Sequence, residues 1–187
     1  MRMFLRQTTV GREPLAIAMS GVRMGERLLQ IGMDTSLVTG LLAAKPGLSG
    51  ESSMVVMDDA TADRARRAVS EAGALVNIVT HALNALPFDS GSFDVIVIHN
   101  RSGQSVSVLG TGGAGALGEC LRVLRTGGRL VVLDRGTPTG LAAMFQSRSP
   151  QRQAEATIKA LEGAGFRPVR VLGDRDGYCF VEGLHAG

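Results

Sequence analysis

Few residues in this chain are of types and spacings suited to chemistry, since it holds only three histidines and two cysteines. His99 closes the apolar run Phe93-Asp-Val-Ile-Val-Ile98. An imidazole there can contact a ligand or act as a general base, although a lone histidine at a strand end is more often neither. Asp58-Asp59 follow Met54-Val-Val-Met57. A carboxylate at that place is a charged double acceptor suited to a pair of donors, or it simply begins the next helix. Gly110-Thr-Gly-Gly-Ala-Gly115 fits Gly-x-Gly-x-x-Gly, follows Val106-Ser-Val-Leu109 and precedes a second run ending in Asp134. That is the local form of an NAD(P)-binding fingerprint. Cys120 and Cys179 sit in apolar periodic segments without metal-ligand spacing and read as two buried thiols. No Ser-His-Asp or Cys-His set and no metal site is readable.

The elements that must position these residues alternate between strand and helix. Arg27-Leu-Leu-Gln-Ile31 is a short strand, and Asp34-Thr-Ser caps a helix with Leu37, Val38, Leu41 and Leu42 on its inner face. Met54–Met57 is the second strand, residues 60–72 a helix with Ala65, Ala68, Val69 and Ala72 inward, and Leu75–Val79 the third strand. Phe93–Ile98 is nearly all apolar, as a central parallel strand buried on both faces should be. Leu117, Leu121 and Leu124 then mark a helix broken by Gly127-Gly128. Leu130–Leu133 is the fifth strand, and a helix starting at Ser149-Pro150 carries Ala154, Ile158 and Leu161. Pro168–Leu172 and Tyr178–Val181, joined by a polar turn, form an antiparallel hairpin. Five strands linked by crossovers plus this hairpin predict a doubly wound α/β sheet with one reversed strand. No repeat or linker divides the 187 residues, so the chain reads as one domain, with residues 1–24 as a lead-in segment.

Composition narrows the function classes. Hydrophobic residues are 44% and charged residues 20%, which is globular rather than disordered. No apolar run is long enough to cross a bilayer or serve as a signal peptide, so a cytoplasmic, membrane-free protein is expected. The net charge of +3 comes from 20 basic and 17 acidic residues scattered along the chain, and no basic stripe argues for nucleic acid.

Three segments carry a family resemblance. Ala85-Leu-Pro-Phe-Asp-Ser-Gly-Ser-Phe-Asp-Val-Ile-Val97 resembles the "LPF-x-x-x-SFDVV" segment of UbiE-like class I S-adenosylmethionine (SAM) methyltransferases. Glu119-Cys-Leu-Arg-Val-Leu-Arg-Thr-Gly-Gly-Arg-Leu-Val-Val-Leu-Asp134 is similar to their "E-x-x-RVLKPGGRLVV-x-D" helix and strand, and Leu161-Glu-Gly-Ala-Gly-Phe166 to their "L-x-x-AGF". The resemblance implies a Rossmann-like seven-stranded sheet in order 3-2-1-4-5-7-6, strand seven antiparallel, with helices on both faces. It implies SAM as cofactor, a small-molecule substrate and direct displacement of the methyl group. Phe88 and Phe93 are expected to anchor the first motif's loop, and Asp94 to tie down backbone.

In an open parallel sheet the ligand lies beyond the C-terminal strand ends, where strand order reverses. The family's first loop there reads acidic-x-Gly-x-Gly-x-Gly. This chain has Gln30-Ile-Gly-Met-Asp-Thr-Ser36, which keeps Gly32, replaces the acid by Gln30 and puts Asp34 and Ser36 at two glycine positions. The resemblance assigns Gly32, Met33, Asp34, Asp58, Asp59, Ala82, Leu83 and His99 to the cofactor, with His99 the candidate catalytic residue. Ala82-Leu83 stand where the family often has an acid. Asp34 and Ser36 bring side chains into the space of the cofactor's amino-acid part, which predicts weak SAM affinity, relieved by glycine at both positions. The altered loop also suits a second reading, a non-catalytic methyltransferase-like binding or regulatory protein. The NAD(P) reading of Gly110–Gly115 is opposed by the short chain after Asp134, one helix and a hairpin, which lacks the second half that a dinucleotide needs.

Overall fold

Strand formation follows the apolar runs. In the computed structural model, which describes residues 13–101, 113–135, 150–175 and 177–187, the elements are α1 (Glu13–Met19), β1 (Arg27–Ile31), α2 (Ser36–Ala44), β2 (Glu51–Val56), α3 (Asp59–Glu71), β3 (Asn77–Thr80), β4 (Phe93–Arg101), α4 (Gly113–Val123), β5 (Leu124–Arg135), α5 (Pro150–Gly163), β6 (Val169–Arg175) and β7 (Tyr178–Leu184). The seven strands form one sheet in the order β3-β2-β1-β4-β5-β7-β6. β7 is antiparallel to both β5 and β6, and the other pairs are parallel. The topology is the expected one, with β4 central between β1 and β5.

Both faces of the sheet are covered, which is why its middle strands are apolar throughout. On one face Ile31, Ile96, Ile98, Leu130, Val132 and Val181 form a core with Leu117 and Cys120 of α4 and Leu161 of α5. On the other, Leu28, Val95, Val97, Leu133 and Phe180 pack with Ala16 of α1 and with Val38 and Leu42 of α2. Met54 and Val56 meet Ala62, Ala65 and Ala68 of α3. The lead-in segment therefore contributes a helix to the core. Cys120 and Cys179 are free, buried thiols, and burial pushes them up to about 12 and about 11.

Several local expectations shift. Leu37 and Leu41 are 51% and 39% exposed, whereas Val38, Thr39, Gly40 and Leu42 are buried. The cause is α3, since a Cβ on Gly40 would lie 2.5 Å from the Ala68 carbonyl oxygen. The small residue lets the two helices touch there, turning both leucines outward. Leu124 belongs to β5, not the preceding helix, and Gly127-Gly128 lie inside that strand, where the pairing with β4 is irregular between Phe93 and Val95. The hairpin strands are longer than the sequence implies, because β6 continues through Gly173–Arg175 beyond a register shift. The third strand starts at Asn77 rather than Leu75, which is 84% exposed.

The two longest motifs hold each other. The Leu86 amide donates to Glu119 Oε2 at 2.7 Å, and Arg122 grips Glu119 through Nε and Nη2 at 2.8 and 2.7 Å. Arg122 also donates to the Phe88 and Leu86 carbonyls at 2.8 and 3.0 Å. Phe88 and Phe93 meet edge to face, with centroids 4.9 Å apart. Asp94 accepts from the Arg27 amide at 2.8 Å and from the side chains of Arg27 and Arg125. Its expected structural role is what the fold shows.

Candidate functional site at the strand-order reversal

After β1 the chain moves outward through β2 and β3, then returns to place β4 on the other side of β1. The register sets the ends of these strands side by side, with Ile31 beside Val55 and Ile98, and Val56 beside Thr80. Gly32, Asp58, Ala82 and His99 each follow within a few residues of these positions, so the predicted site residues lie along one edge of the sheet. Gly32 has φ +74°, and a Cβ there would lie 3.3 Å from the His99 carbonyl oxygen. Glycine at this position is thus required by backbone conformation and by the approach of β4, whatever binds beside it.

Within this edge lies a polar cluster on the α1–α3 face. Gln30 is fully buried, and its Nε2 donates to the Thr39 carbonyl at 3.3 Å. Its Oε1 then faces His99 Nε2 at 2.9 Å. Asp34, also buried, accepts on Oδ1 from the Thr35 amide at 2.8 Å and from Arg135 Nη1 at 3.0 Å. Its Oδ2 accepts from the Tyr178 hydroxyl at 2.6 Å, and the Arg135 guanidinium stands 5.4 Å from the Tyr178 ring centre. The Asp34 amide donates to Thr39 Oγ1 at 3.2 Å. One loop is thereby tied to the ends of β5 and β7.

Two sequence expectations are corrected here. Asp34 is not the cap of α2, because Thr35 occupies that place and accepts from the Val38 amide at 3.2 Å, leaving the Asp34 carboxylate for the buried network. His99, read as a ligand contact or general base at the strand end, is enclosed there rather than open to solvent. It is only 3% exposed, because β1 and β5 flank β4 and Gln30 lies against its ring. Burial pushes its pKa down to about 4, against an opposing pull from the Asp34 carboxylate.

The remaining predicted residues divide by exposure. Met33 buries its side chain with Met54, Val56 and Ala62. Ser36, also at a former glycine position, is exposed at the start of α2. Asp58 is the cap of α3, accepting from the Thr61 amide at 2.7 Å and the Thr61 hydroxyl at 2.9 Å, and these two bonds keep its pKa low. The structural reading of Asp58 is therefore real, yet the carboxylate stays exposed and ionised. Asp59 accepts from the Thr80 hydroxyl at 2.9 Å, joining the ends of β2 and β3. Ala82 is exposed and Leu83 is buried in the core. Arg135 and Tyr178 were missed by sequence reasoning, since they meet Asp34 from 101 and 144 residues away and neither belongs to a local motif. Of the Gly110–Gly115 run, residues 110–112 lie outside the described residues, as do residues 106–109, and α4 begins at Gly113.

Comparison with known proteins decides the family. A family model described as a methyltransferase domain matches residues 29–132, more than half of the chain. The chain belongs to the methyltransferase domain family. These are class I SAM-dependent methyltransferases, and SAM is their cofactor. The chain is 32% identical over 125 residues to the ubiquinone/menaquinone biosynthesis C-methyltransferase UbiE of Idiomarina loihiensis, covering 64% of this chain and 46% of that protein. With UbiE of Azotobacter vinelandii it shares 34% over 125 residues, covering 66% and 47%. The chain thus spans about half the length of the curated relatives it matches. A SAM-dependent methyltransferase from Aquifex aeolicus superposes with TM-score 0.71 at 19% identity, covering 92% of this chain and 88% of that one. The [4+2]-cyclase SpnF shares the fold with TM-score 0.61 at 22% identity, over 86% and 58%.

Two features at these strand ends fit a bound SAM. Asp58 presents an ionised, exposed carboxylate beside the end of β2. Nδ1 of His99 is a buried polar atom with no hydrogen-bond partner among the described residues, which a ligand carrying a donor would satisfy.

Proposed function

We propose that this chain, as a single methyltransferase-like domain of residues 1–187, transfers the methyl group of SAM to a small-molecule nucleophile. The reaction takes place along the edge formed by the ends of β1, β2, β3 and β4. The observation that carries this reading is the alignment of Gly32, Asp58 and His99 at the strand-order reversal of a chain in this family. SAM supplies a methyl group already activated as a sulfonium, so the protein's work is mainly placement.

Each residue has a distinct part. Gly32 and Met33 contribute backbone, and Asp58, with Asp59 beside it, takes the ribose hydroxyls as a charged acceptor. Ala82 and Leu83 border the adenine. Asp34 marks the amino-acid end and, through Arg135 and Tyr178, holds the loop in place. His99 serves as a hydrogen-bond acceptor rather than a general base. A base works best when its pKa lies near the operating pH, and burial takes this one down to about 4.

The name of the UbiE relatives makes a quinone-precursor ring the first substrate class to assay for C-methylation. Calorimetric titration with SAM, with NAD as control, tests the reading. Binding of SAM alone is expected, followed by methyl transfer from labelled SAM. Binding of NAD without SAM would overturn it. Binding of SAM with no transfer to any small molecule would favour a non-catalytic binding or regulatory role.

A further inference from the structure

A chain of hydrogen bonds fixes the state of His99. The Thr39 carbonyl can only accept, so the Gln30 amide nitrogen faces it. The Gln30 oxygen, turned the other way, needs a donor, and His99 Nε2–H is that donor at 2.9 Å. A neutral imidazole protonated on Nε2 carries a bare lone pair on Nδ1. That atom is buried and has no partner among the described residues. A buried acceptor left unmatched is costly, and a ligand donor would remove the cost. The Asp34 carboxylate, shared with the Arg135 guanidinium, pulls His99 toward its charged form against the larger effect of burial. The bare Nδ1 calls for a donor, which an ammonium supplies and an anion does not.

We propose that Nδ1 of His99 accepts a hydrogen bond from the α-ammonium group of bound SAM, compensating for the acid that Gln30 replaces in the first loop. The inference rests on the SAM reading above. Gln30 is then not a lost contact but the residue that orients His99, and Asp34 supplies the negative charge from four positions further along. In this arrangement His99 is a cofactor-binding residue and Gln30 a positioning residue.

The experiment follows the imidazole nitrogens by long-range proton–nitrogen NMR of the intact chain, with calorimetry in parallel. His99→Gln identifies the His99 signals among the three histidines. Unliganded protein should show Nε2 protonated and Nδ1 bare. SAM should move the Nδ1 resonance toward the protonated range. Methylthioadenosine, which has the nucleoside but no amino-acid part, should leave it in place. His99→Gln keeps a partner for Gln30 and loses the acceptor at Nδ1, so SAM affinity should fall about tenfold. His99→Asn keeps an acceptor there and should retain most of the affinity. Binding of SAM with Nδ1 unmoved, or an equal shift with methylthioadenosine, overturns this assignment while the SAM reading stands. No SAM binding by calorimetry overturns both.

Discussion

At Asp34 the structure separates two effects that the sequence merges. A residue of capping type before a helix, at a position where the family has glycine, reads as a cap that crowds the cofactor. Thr35 does the capping, and the Asp34 side chain is 2% exposed between Arg135 and Tyr178. Replacing Asp34 by Gly should therefore cost much more than a cap, about 2–3 kcal/mol, because it breaks a largely buried ion pair and removes the acceptor of the Tyr178 hydroxyl. Ser36→Gly, at an exposed site, should change stability by about 0.5 kcal/mol or less. Chemical denaturation of the two single variants checks this, and equal effects would contradict the network. Asp58 has the opposite character. Asp58→Asn keeps a good cap residue and gives up the charge, so stability should hold while SAM affinity falls about tenfold. Unchanged affinity in a titration would remove Asp58 from the ribose site. The places of Gly32, Asp58 and His99 at the strand ends were legible because each follows an apolar run. It could not reveal Arg135 and Tyr178, whose meeting with Asp34 depends on β5 and β7 being brought beside the first loop by the whole sheet.

Among the elements, the central strand was the most readable and the inner face of α2 the least. A strand covered on both sides must be apolar at every position, so Phe93–Ile98 announces its own place. Ile96 is fully buried between β1 and β5 under α4 and α5. Ile96→Ala should lower stability by about 2–5 kcal/mol in reversible denaturation, and a loss well under 1 kcal/mol would contradict its core position. The face of α2 was misread because two exposed leucines outweigh Thr39 and Gly40 in any hydrophobic count. What decides the face is contact, the Ala68 carbonyl against Gly40 and the hydrogen bonds that Thr39 makes with Gln30 and Asp34. The Glu119–Arg122 pair shows why the two motifs recognisable in sequence travel together. It binds the loop before β4 to the helix before β5, a structural reason independent of cofactor.

For the molecule as a whole, His99 and Asp94 carry large shifts that act in two separate windows as pH falls. An unfolded histidine titrates near its ordinary value of 6.5, whereas His99 in the fold is pushed down to about 4 by burial. Between those values the unfolded chain holds a proton that the native chain does not, so stability is lost as pH falls from 6.5 toward 4. The full difference is worth about 3 kcal/mol. Asp94 acts in a lower window. Burial would raise its pKa, but the Arg27 amide and the Arg125 and Arg27 side chains outweigh burial and hold it at about 2, below the ordinary 3.8. Its contribution, about 2 kcal/mol, is complete above 3.8 and is lost as pH falls toward 2. Since a domain of this kind is held by about 5–15 kcal/mol in total, the first window alone should be visible. Urea denaturation at a series of pH values is expected to show stability declining from pH 6.5, well before carboxylates with lowered pKa begin to protonate. His99→Gln, which cannot titrate, should flatten the decline between 6.5 and 4 and leave the lower one unchanged. A decline in the variant as steep as in the original chain would mean that His99 does not hold its neutral, buried state, and with it would go the bare Nδ1 on which the ammonium contact depends.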